Sequence, residues 1–206
     1  MSQFFQIHSE NPQQRLIKQA AEILAKGGLV VIPTDCAYAL ACHLEDKKAL
    51  ERVKQLRQLN DKHNFTLMCR DLTEISTYGK VDNTAYRFLK ANTPGSFTFI
   101  LDGTREVPRR LMHPKRKTIG IRVPNNRITQ ALLEELGEPL MTTSLIMPGE
   151  DTPMSDPYDI RQTLEHGVDL VIDGGYCGFE ATTVVDMTGE EYLISRQGAG
   201  LLPELE

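Results

Sequence analysis

Residues 27–40 read GGLVVIPTDCAYAL, and this stretch passes within two residues from apolar to polar chemistry. Residues 29–32 are apolar throughout, which is typical of a strand buried on both faces. Pro33, Thr34 and Asp35 follow, where an ordinary turn would carry Gly or Asn. Because ligands of open α/β sheets bind beyond the carboxyl ends of strands, we predict that this junction lines a binding site.

Helical and strand patterns alternate along the chain, without repeats or low-complexity linkers. Asn11, Pro12 and Gln14 have the pattern of an N-cap, a first-turn proline and a capping-box glutamine, so a first helix should run from there to the glycine pair. The periodicities predict further helices over 46–59, 82–91, 126–136 and 159–166. They predict strands over 29–32, 65–69, 97–101, 119–123, 140–144, 168–172, 183–186 and 192–195, in one sheet. The fold class is therefore α/β, with residues 1–206 as one domain built on a mixed sheet covered by helices.

The composition is that of a soluble globular protein. The chain has 206 residues, of which 40% are hydrophobic and 25% charged. We expect a cytoplasmic protein without a membrane partner, since no apolar run approaches the length of about 20 residues that spans a bilayer. Cys36, Cys42, Cys69 and Cys177 have no metal-ligand spacing, so we predict free thiols and no metal site.

Positive charge is concentrated in residues 105–127, where eight Lys or Arg residues stand against one acid in a chain of net charge -5. Such a block suits phosphate or nucleic acid, because cations gain affinity by releasing counterions from phosphates. An exposed, solvated basic loop is the alternative. The candidate nucleic-acid contacts are Arg109, Arg110, Lys115, Arg116, Lys117 and Arg127.

Several predicted strands end in hydroxyl-bearing residues, among them Thr34 and residues 142–144. Hydroxyls donate to carboxylates or phosphates and accept from ammonium groups, so a cluster of them suits a small zwitterionic or phosphorylated ligand. Turn formation is the alternative role for such residues.

Four motifs in order resemble the YrdC/YciO-like family: GGLVVIPTDCAYAL at 27–40, PGSFTFIL at 94–101, IGIRVP at 119–124 and ATTVVDMTGEEYLISRQGAG at 181–200. The resemblance implies an open, strongly twisted α/β sheet with a concave positive surface, and a link to RNA, either tRNA or double-stranded RNA. Its best-known members are L-threonylcarbamoyl-AMP synthases, which join L-threonine, bicarbonate and ATP, release pyrophosphate and serve the modification of an adenosine in tRNA. ATP with Mg²⁺ is thus expected as substrate and ion, without a prosthetic group.

The resemblance also implies site residues. Thr34 would contact threonine, and Arg196 would meet phosphates. The pocket for threonine and nucleotide would comprise Thr34, Tyr38, Thr98, Arg122, Ser144, Thr182, Thr183 and Arg196. Lys54, Arg57 and Lys62 would contact phosphate. Without the resemblance, Arg122 is better interpreted as a surface partner of the acidic C-terminal third and Arg196 as part of a strand-end salt bridge. No catalytic residue is assigned.

Two departures from the family pattern predict weak or altered synthase activity. The synthases carry Lys-x-Arg before an Asp-Lys-Pro turn, whereas here Lys54 and Arg57 are three apart in KQLRQLNDKHN. They also carry Ser-x-Asn at a strand end, where this chain has Ser144 and Ile146. Two alternatives stay open: a non-catalytic RNA- or ribosome-binding module, and a hydrolase or transferase acting on threonylcarbamoyl nucleotides with His43, His63 or His113 as acid or base.

Overall fold

The computed structural model describes residues 1–205, which form ten strands, six α-helices and two short 3-10 helices. The strands are β1 (Gln3–Gln6), β2 (Val30–Ile32), β3 (Ala39–His43), β4 (Thr66–Met68), β5 (Phe97–Asp102), β6 (Thr118–Arg122), β7 (Leu140–Ser144), β8 (Leu170–Asp173), β9 (Thr183–Asp186) and β10 (Leu193–Arg196). The α-helices are α1 (Gln14–Ala25), α2 (Lys47–Arg57), α3 (Leu72–Tyr78), α4 (Asn83–Asn92), α5 (Arg127–Leu136) and α6 (Pro157–Leu164), and the 3-10 helices span Arg109–Leu111 and Pro203–Leu205.

One mixed sheet joins all the described strands in the order β1-β8-β2-β3-β7-β4-β6-β5-β9-β10. The pairs β1/β8, β2/β8, β4/β6 and β5/β9 are parallel. The other five pairs are antiparallel. The predicted α/β class with a single open mixed sheet flanked by helices is confirmed.

The predicted number of strands is too low, because β1 and β3 were missed. The sequence of β1, QFFQ, is polar at both ends and lies at the edge of the sheet, so it lacks the apolar run of a central strand. Strand β3 is built from Ala, Leu, Cys and His, residues of modest β propensity, and it is formed by pairing with β2 and β7 on its two sides. Tertiary pairing determines both strands.

The predicted start of the first helix is wrong by two residues. Helix α1 begins at Gln14 with Gln13 at the N-cap, and no side chain caps it. Residues 8–11 form a separate turn, in which Nδ1 of His8 accepts the backbone N–H groups of Glu10 and Asn11. The backbone N–H group of Asn11 is thus bound to His8, and Asn11 belongs to this turn.

Two apolar clusters lie on the two faces of the sheet. Side chains of α1 and α5, such as Leu24 and Leu132, pack with Ile32 of β2 and Ile172 of β8. On the opposite face, the cluster contains side chains of α2, α3, α4 and α6 together with strand residues such as Val31. Helices α1 and α5 therefore cover one face over β8, β2 and β3, the strands that contribute most to their cluster.

The remainder of that face is a concavity over β7, β4, β6, β5 and β9. Because side chains alternate along a strand, its residues are every second one: Thr66 and Met68, Thr98 and Ile100, Thr118, Gly120 and Arg122, Thr142 and Ser144, and Val184. None of the helices in residues 1–205 is long and apolar enough to cross a membrane.

Candidate functional site

The concavity holds a cavity of about 270 Å³, which we call the sheet cavity. Its lining comprises Ala39, Arg57, His63, Asn64, Phe65, Thr66, Met68, Thr98, Ile100, Leu111, His113, Arg116, Thr118, Ile119, Gly120, Arg122, Thr142, Thr143, Ser144, Ile146, Thr182, Val184 and Arg196. A Cβ atom on Gly120 would stand 3.1 Å from the methyl group of Thr98, which is closer than an ordinary van der Waals contact. Glycine at this position therefore avoids crowding against Thr98 on the sheet surface that forms the floor of the cavity. The floor is thus a sheet surface carrying hydroxyls and small side chains.

The lining is cationic. It contains four arginines and two histidines but no carboxylate among the residues that form it. The whole chain carries a net charge of -5, so this distribution is local. A cavity with hydroxyls and guanidinium groups suits a ligand that carries phosphate or carboxylate.

Arg57 lies at the end of α2 and holds the end of β7. Its Nε donates to the carbonyl oxygen of Ile146 at 2.5 Å, and its Nη1 donates to the carbonyl of Ser144 at 2.7 Å and to Oγ1 of Thr143 at 2.9 Å. Burial lowers the pKa of Arg57, but arginine keeps its charge at any physiological pH. Arg57 thus holds the cavity wall at Ser144 and Ile146, the two positions that the sequence analysis compares with the Ser-x-Asn motif of the synthases.

His63 stands beside Arg57 on the cavity wall. Its Nε2 lies 2.9 Å from Oγ1 of Thr143, and its ring stands edge-on to Phe65 with centroids 5.0 Å apart. Burial, and then the charge of Arg57, lower the pKa of His63 to about 4. The imidazole is therefore neutral at pH 7.

Arg122 is buried and forms an ion pair with Asp35 of the strand-end junction. Asp35 in turn accepts a hydrogen bond from the hydroxyl of Ser96 at 3.0 Å, and Nη2 of Arg122 also lies 3.5 Å from Sγ of Cys36. The interpretation of Arg122 as a surface partner of the acidic C-terminal third is wrong. Its partner is the aspartate that interrupts the apolar run quoted at the start.

Thr98, Thr182 and Arg196 meet at the β5, β9 and β10 side of the sheet cavity. The hydroxyls of Thr98 and Thr182 are 2.8 Å apart and both residues are buried. Arg196 donates to the carbonyl oxygen of Thr182 from Nη2 at 2.9 Å and from Nε at 3.2 Å. With Ser144 and Arg122, these are the five predicted threonine and nucleotide residues that line the cavity.

Thr34, Tyr38 and Thr183 belong to the predicted pocket but lie outside the lining of the sheet cavity. Oγ1 of Thr34 donates to the carbonyl of Ala37 at 2.5 Å and accepts the N–H of Ala37, which closes the turn between β2 and β3. The hydroxyl of Tyr38 donates to Gly175 at 2.6 Å.

Thr183 likewise binds the backbone, donating to the carbonyl of Gly200 at 2.6 Å and accepting from Gly198 at 2.9 Å. These three hydroxyls thus have internal partners, and their roles toward a ligand stay predictions.

Of the three predicted phosphate contacts, only Arg57 lines the cavity. Lys54 pairs with Glu51 at 3.4 Å and with Asp61 at 3.5 Å, and Lys62 is exposed in the following loop. Lys54 and Lys62 reach phosphate only if a ligand extends beyond the sheet cavity.

The predicted nucleic-acid residues separate into two groups. Lys115, Arg116 and Lys117 are exposed in the turn before β6, and Arg116 also lines the cavity. The remaining three are Arg109, Arg110 and Arg127. Arg109 is exposed, Arg110 donates to the carbonyl of Leu44 at 2.7 Å, and Arg127 pairs with Glu10 at 3.1 Å. The exposed turn is therefore the strongest basic feature at the cavity.

The described residues contain no group of three or more His, Cys, Asp or Glu side chains placed to hold a metal ion. The cavity lining supplies donors for anions instead. If Mg²⁺ acts here, its ligands are expected to be chiefly phosphate oxygens and water, which is its usual coordination beside nucleotides.

The sequence model of the Sua5/YciO/YrdC family, described as "Telomere recombination", matches residues 22–198. The chain belongs to the Sua5/YciO/YrdC family. It is 61% identical over 200 residues to the uncharacterized protein YciO of Escherichia coli (strain K12), which covers 97% of each chain. It superposes on the crystal structure of E. coli YciO with a TM-score of 0.96 at 59% identity, covering 100% of both chains.

More distant family members include proteins with a named activity. A threonylcarbamoyl-AMP synthase of Nitrosococcus oceani is 26% identical over 159 residues, covering 77% of this chain and 85% of its own. The crystal structure of P. abyssi Sua5 complexed with L-threonine has a TM-score of 0.89 at 22% identity and covers 98% of this chain and 59% of its own. The family relation to threonylcarbamoyl-AMP synthases is thus established. The similarity to P. abyssi Sua5 shows that the two proteins share a fold.

Sequence reasoning missed Asp35 as the partner of Arg122, and it missed the hydroxyls of Thr66 and Thr118 in the lining of the cavity. The alternation of side chains between the two faces of a strand could have identified these hydroxyls. In TIGIR, the sequence of β6, this alternation places Thr118 on the same face as Arg122. The pairing of Asp35 with Arg122 had no such signal, because the two are 87 positions apart.

Proposed function

We propose that the sheet cavity binds ATP and L-threonine, and that the chain forms L-threonylcarbamoyl-AMP from them and bicarbonate at a low rate. The observation that carries this proposal is the lining itself: four arginines, no carboxylate, and hydroxyls from five neighbouring strands or their ends. The family relation to threonylcarbamoyl-AMP synthases supports the same assignment.

The chemistry requires little beyond positioning and charge neutralisation. The amine nitrogen of threonine bonds to the carbon of bicarbonate with loss of water, and a carbamate oxygen then attacks the α-phosphorus of ATP and displaces pyrophosphate. Guanidinium groups such as those of Arg116 and Arg196 neutralise phosphate charge, and hydroxyls orient the amino acid. No covalent enzyme intermediate is needed.

The low rate follows from Ile146, which lines the cavity at the position where the resemblance implies an asparagine in the synthases. An aliphatic side chain neither donates nor accepts a hydrogen bond. Loss of one oriented polar contact in a closed site costs a factor on the order of 10² in rate. Arg57 still donates a hydrogen bond to the backbone of residue 146, so the Ile146→Asn substitution should leave the position of this part of the cavity wall unchanged.

The experiment is mass-spectrometric detection of threonylcarbamoyl-AMP, with pyrophosphate counted, from the purified protein given ATP, Mg²⁺, L-threonine and bicarbonate. We expect a low rate for the wild type and an increase of about tenfold or more for Ile146→Asn. Leu145→Met, a change in the adjacent buried residue of similar size, is the matched control and should leave the rate unchanged. Absence of product from both the wild type and Ile146→Asn would contradict the synthase proposal.

RNA binding is the second candidate function, favoured by the turn at residues 115–117. Its three successive cations are exposed and have no ion-pair partner among the described residues. Arg116 connects this turn to the cavity lining. An RNA backbone bound along the turn would bring a nucleotide to the mouth of the sheet cavity.

A further inference from the structure

His63 is fixed in the wall of the sheet cavity by contacts on two sides. Its Nε2 lies 2.9 Å from Oγ1 of Thr143, and Phe65 packs against its ring at an interplanar angle of 73°. The backbone N–H of His63 donates to the carbonyl oxygen of Asn60 at 3.1 Å, which orders the loop that carries it. The ring therefore has a defined orientation before any ligand arrives.

The hydroxyl of Thr143 determines which ring nitrogen of His63 carries the proton. Nη1 of Arg57 lies 2.9 Å from Oγ1 of Thr143, and a guanidinium group can only donate. Thr143 is buried, so its own hydroxyl hydrogen needs an acceptor, and within the described residues Nε2 of His63 is the one in reach. Nε2 is thus an acceptor, and a neutral ring carries its proton on Nδ1.

Three other histidines have the opposite arrangement. In His8, His43 and His113, Nδ1 accepts backbone N–H groups from residues two or three positions further along the chain. The neutral forms of these rings must therefore carry the proton on Nε2. His63 differs from them in its tautomer as well as in its place at the cavity.

We propose that His63 is a ligand-binding residue that donates Nδ1–H to an anionic oxygen of the ligand, either the carboxylate of L-threonine or a phosphate of ATP. This inference rests on the proposed function, because it takes the ligand from there. Nδ1 has no hydrogen-bond partner in residues 1–205 and is not among their solvent-inaccessible unpartnered atoms. The donor is therefore free for a ligand.

A neutral donor suits this position. The lowered pKa of about 4 keeps the ring uncharged at pH 7 in the free protein, so a ligand first meets a neutral ring. Its donor is directional and does not add to the charge of the four arginines. His63 consequently selects for an acceptor at a particular point in the cavity, whereas the arginines attract anions of many shapes.

The first test is ¹⁵N NMR of the histidine rings in the free protein. We expect protonated Nδ1 and unprotonated Nε2 for His63, and the reverse for His113, which serves as the internal control. Thr143→Val, which keeps the shape and removes the hydroxyl, should give a mixture of tautomers at His63. Protonated Nε2 at His63 in the wild type would overturn the inference without affecting the proposed function.

The second test compares two substitutions that each imitate one ring nitrogen. The amide nitrogen of Asn can occupy the place of Nδ1 and that of Gln the place of Nε2, so His63→Asn retains the proposed donor and His63→Gln removes it. In calorimetric titrations with ATP alone and with L-threonine alone, we expect His63→Gln to weaken one of the two by about tenfold and His63→Asn to weaken it less. The ligand affected identifies the oxygen.

The outcomes separate the inference from the proposed function. If the wild type binds both ligands and His63→Gln binds them equally well, the inference is overturned and the function stands. If the wild type binds neither ligand at millimolar concentration, both are overturned.

Discussion

Nε of Arg57 donates a hydrogen bond to the carbonyl oxygen of Ile146 over 2.5 Å, so a residue of α2 holds the backbone just beyond the end of β7. The same guanidinium group binds the carbonyl of Ser144 and the hydroxyl of Thr143. The family resemblance implies that Arg57 contacts phosphate. Its Nε and Nη1 donate to protein oxygens, so Arg57 keeps the wall of the sheet cavity in place whether or not it also meets a ligand.

We predict that Arg57→Met destabilises the protein by about 2–4 kcal/mol, because it leaves partly buried carbonyl oxygens without donors while keeping the length of the side chain. The measurement is the free energy of unfolding in urea. Lys54→Met, one turn earlier on the same helix, removes a charge with only surface partners and should change stability by less than about 1 kcal/mol. Equal effects of the two substitutions would contradict the role given to Arg57.

Asp35→Asn should destabilise the protein by about 3–5 kcal/mol, because Arg122 would become a buried charge without its partner. The side chains of Arg122 and Asp35 are 8% and 11% exposed. The control is Glu10→Gln, which breaks the ion pair between Glu10 and Arg127. The side chains of Arg127 and Glu10 are 68% and 65% exposed, so this substitution should lower the free energy of unfolding by less than about 1 kcal/mol. Urea unfolding of both variants measures the difference. A cost for Asp35→Asn no larger than that of Glu10→Gln would mean that the pair contributes nothing.

The stability of the protein should fall as the pH is lowered from about 6.5 to about 4, in part through His63. The pKa of His63 is lowered to about 4 by burial and by Arg57, so over this interval the unfolded chain binds a proton that the folded protein does not. Arg116, Arg122, Arg196 and His113 line the same cavity and no carboxylate does, so nothing in the lining offsets the effect. Urea midpoints at pH 7 and pH 5 measure it.

His63→Phe should lose less stability than the wild type between these pH values, because it removes the titrating group and keeps an aromatic ring against Phe65. His166→Phe is the control, since that residue is exposed and lies outside the lining of the sheet cavity. An identical pH dependence for His63→Phe and the wild type would contradict the lowered pKa.

The RNA-binding candidate predicts that Lys115→Glu/Lys117→Glu weakens binding to a generic RNA duplex and flattens the dependence of log K on log salt by about one unit per lost phosphate contact. Arg15→Glu/Lys18→Glu, an equal charge change on the exposed side of α1, should have little effect. Filter binding at several salt concentrations gives both slopes. An unchanged slope for the turn variant would exclude the turn as an RNA contact.

Much of the fold was predictable because its signals are local. Gly137 ends α5 in the left-handed conformation with a φ of 74°, and Asn126 caps its start, both as the sequence indicates. The apolar runs of β2 and β8 likewise identify them as central strands. Strand β3 has no comparable local signal, since small residues take the extended form there through pairing on both sides.

The cavity was predictable only in part, for a related reason. Thr98, Arg122 and Ser144 were identified by a family resemblance and are brought together by the sheet. Thr34 differs from these residues. The family motif at residues 27–40 predicts that it contacts a ligand, but its hydroxyl binds the backbone and closes a turn. A hydroxyl beside a strand end either closes a turn or faces a ligand, and only the three-dimensional contacts distinguish the two.

The measurement that tests the central claim most directly is calorimetric titration of ATP, with and without saturating L-threonine, into the wild type and Arg116→Gln/Arg196→Gln. Both arginines line the cavity and are exposed. Because Arg196 also donates to the carbonyl oxygen of Thr182, urea unfolding of the variant checks that its fold is kept. Arg15→Gln/Arg87→Gln, which removes the same charge from the exposed surfaces of α1 and α4, is the matched control. The account predicts ATP binding at millimolar concentration or tighter, weakened by about tenfold or more in the cavity variant and unchanged in the control. Absence of ATP binding to the wild type, or equal binding by all three proteins, would contradict the assignment of the sheet cavity as the ligand site.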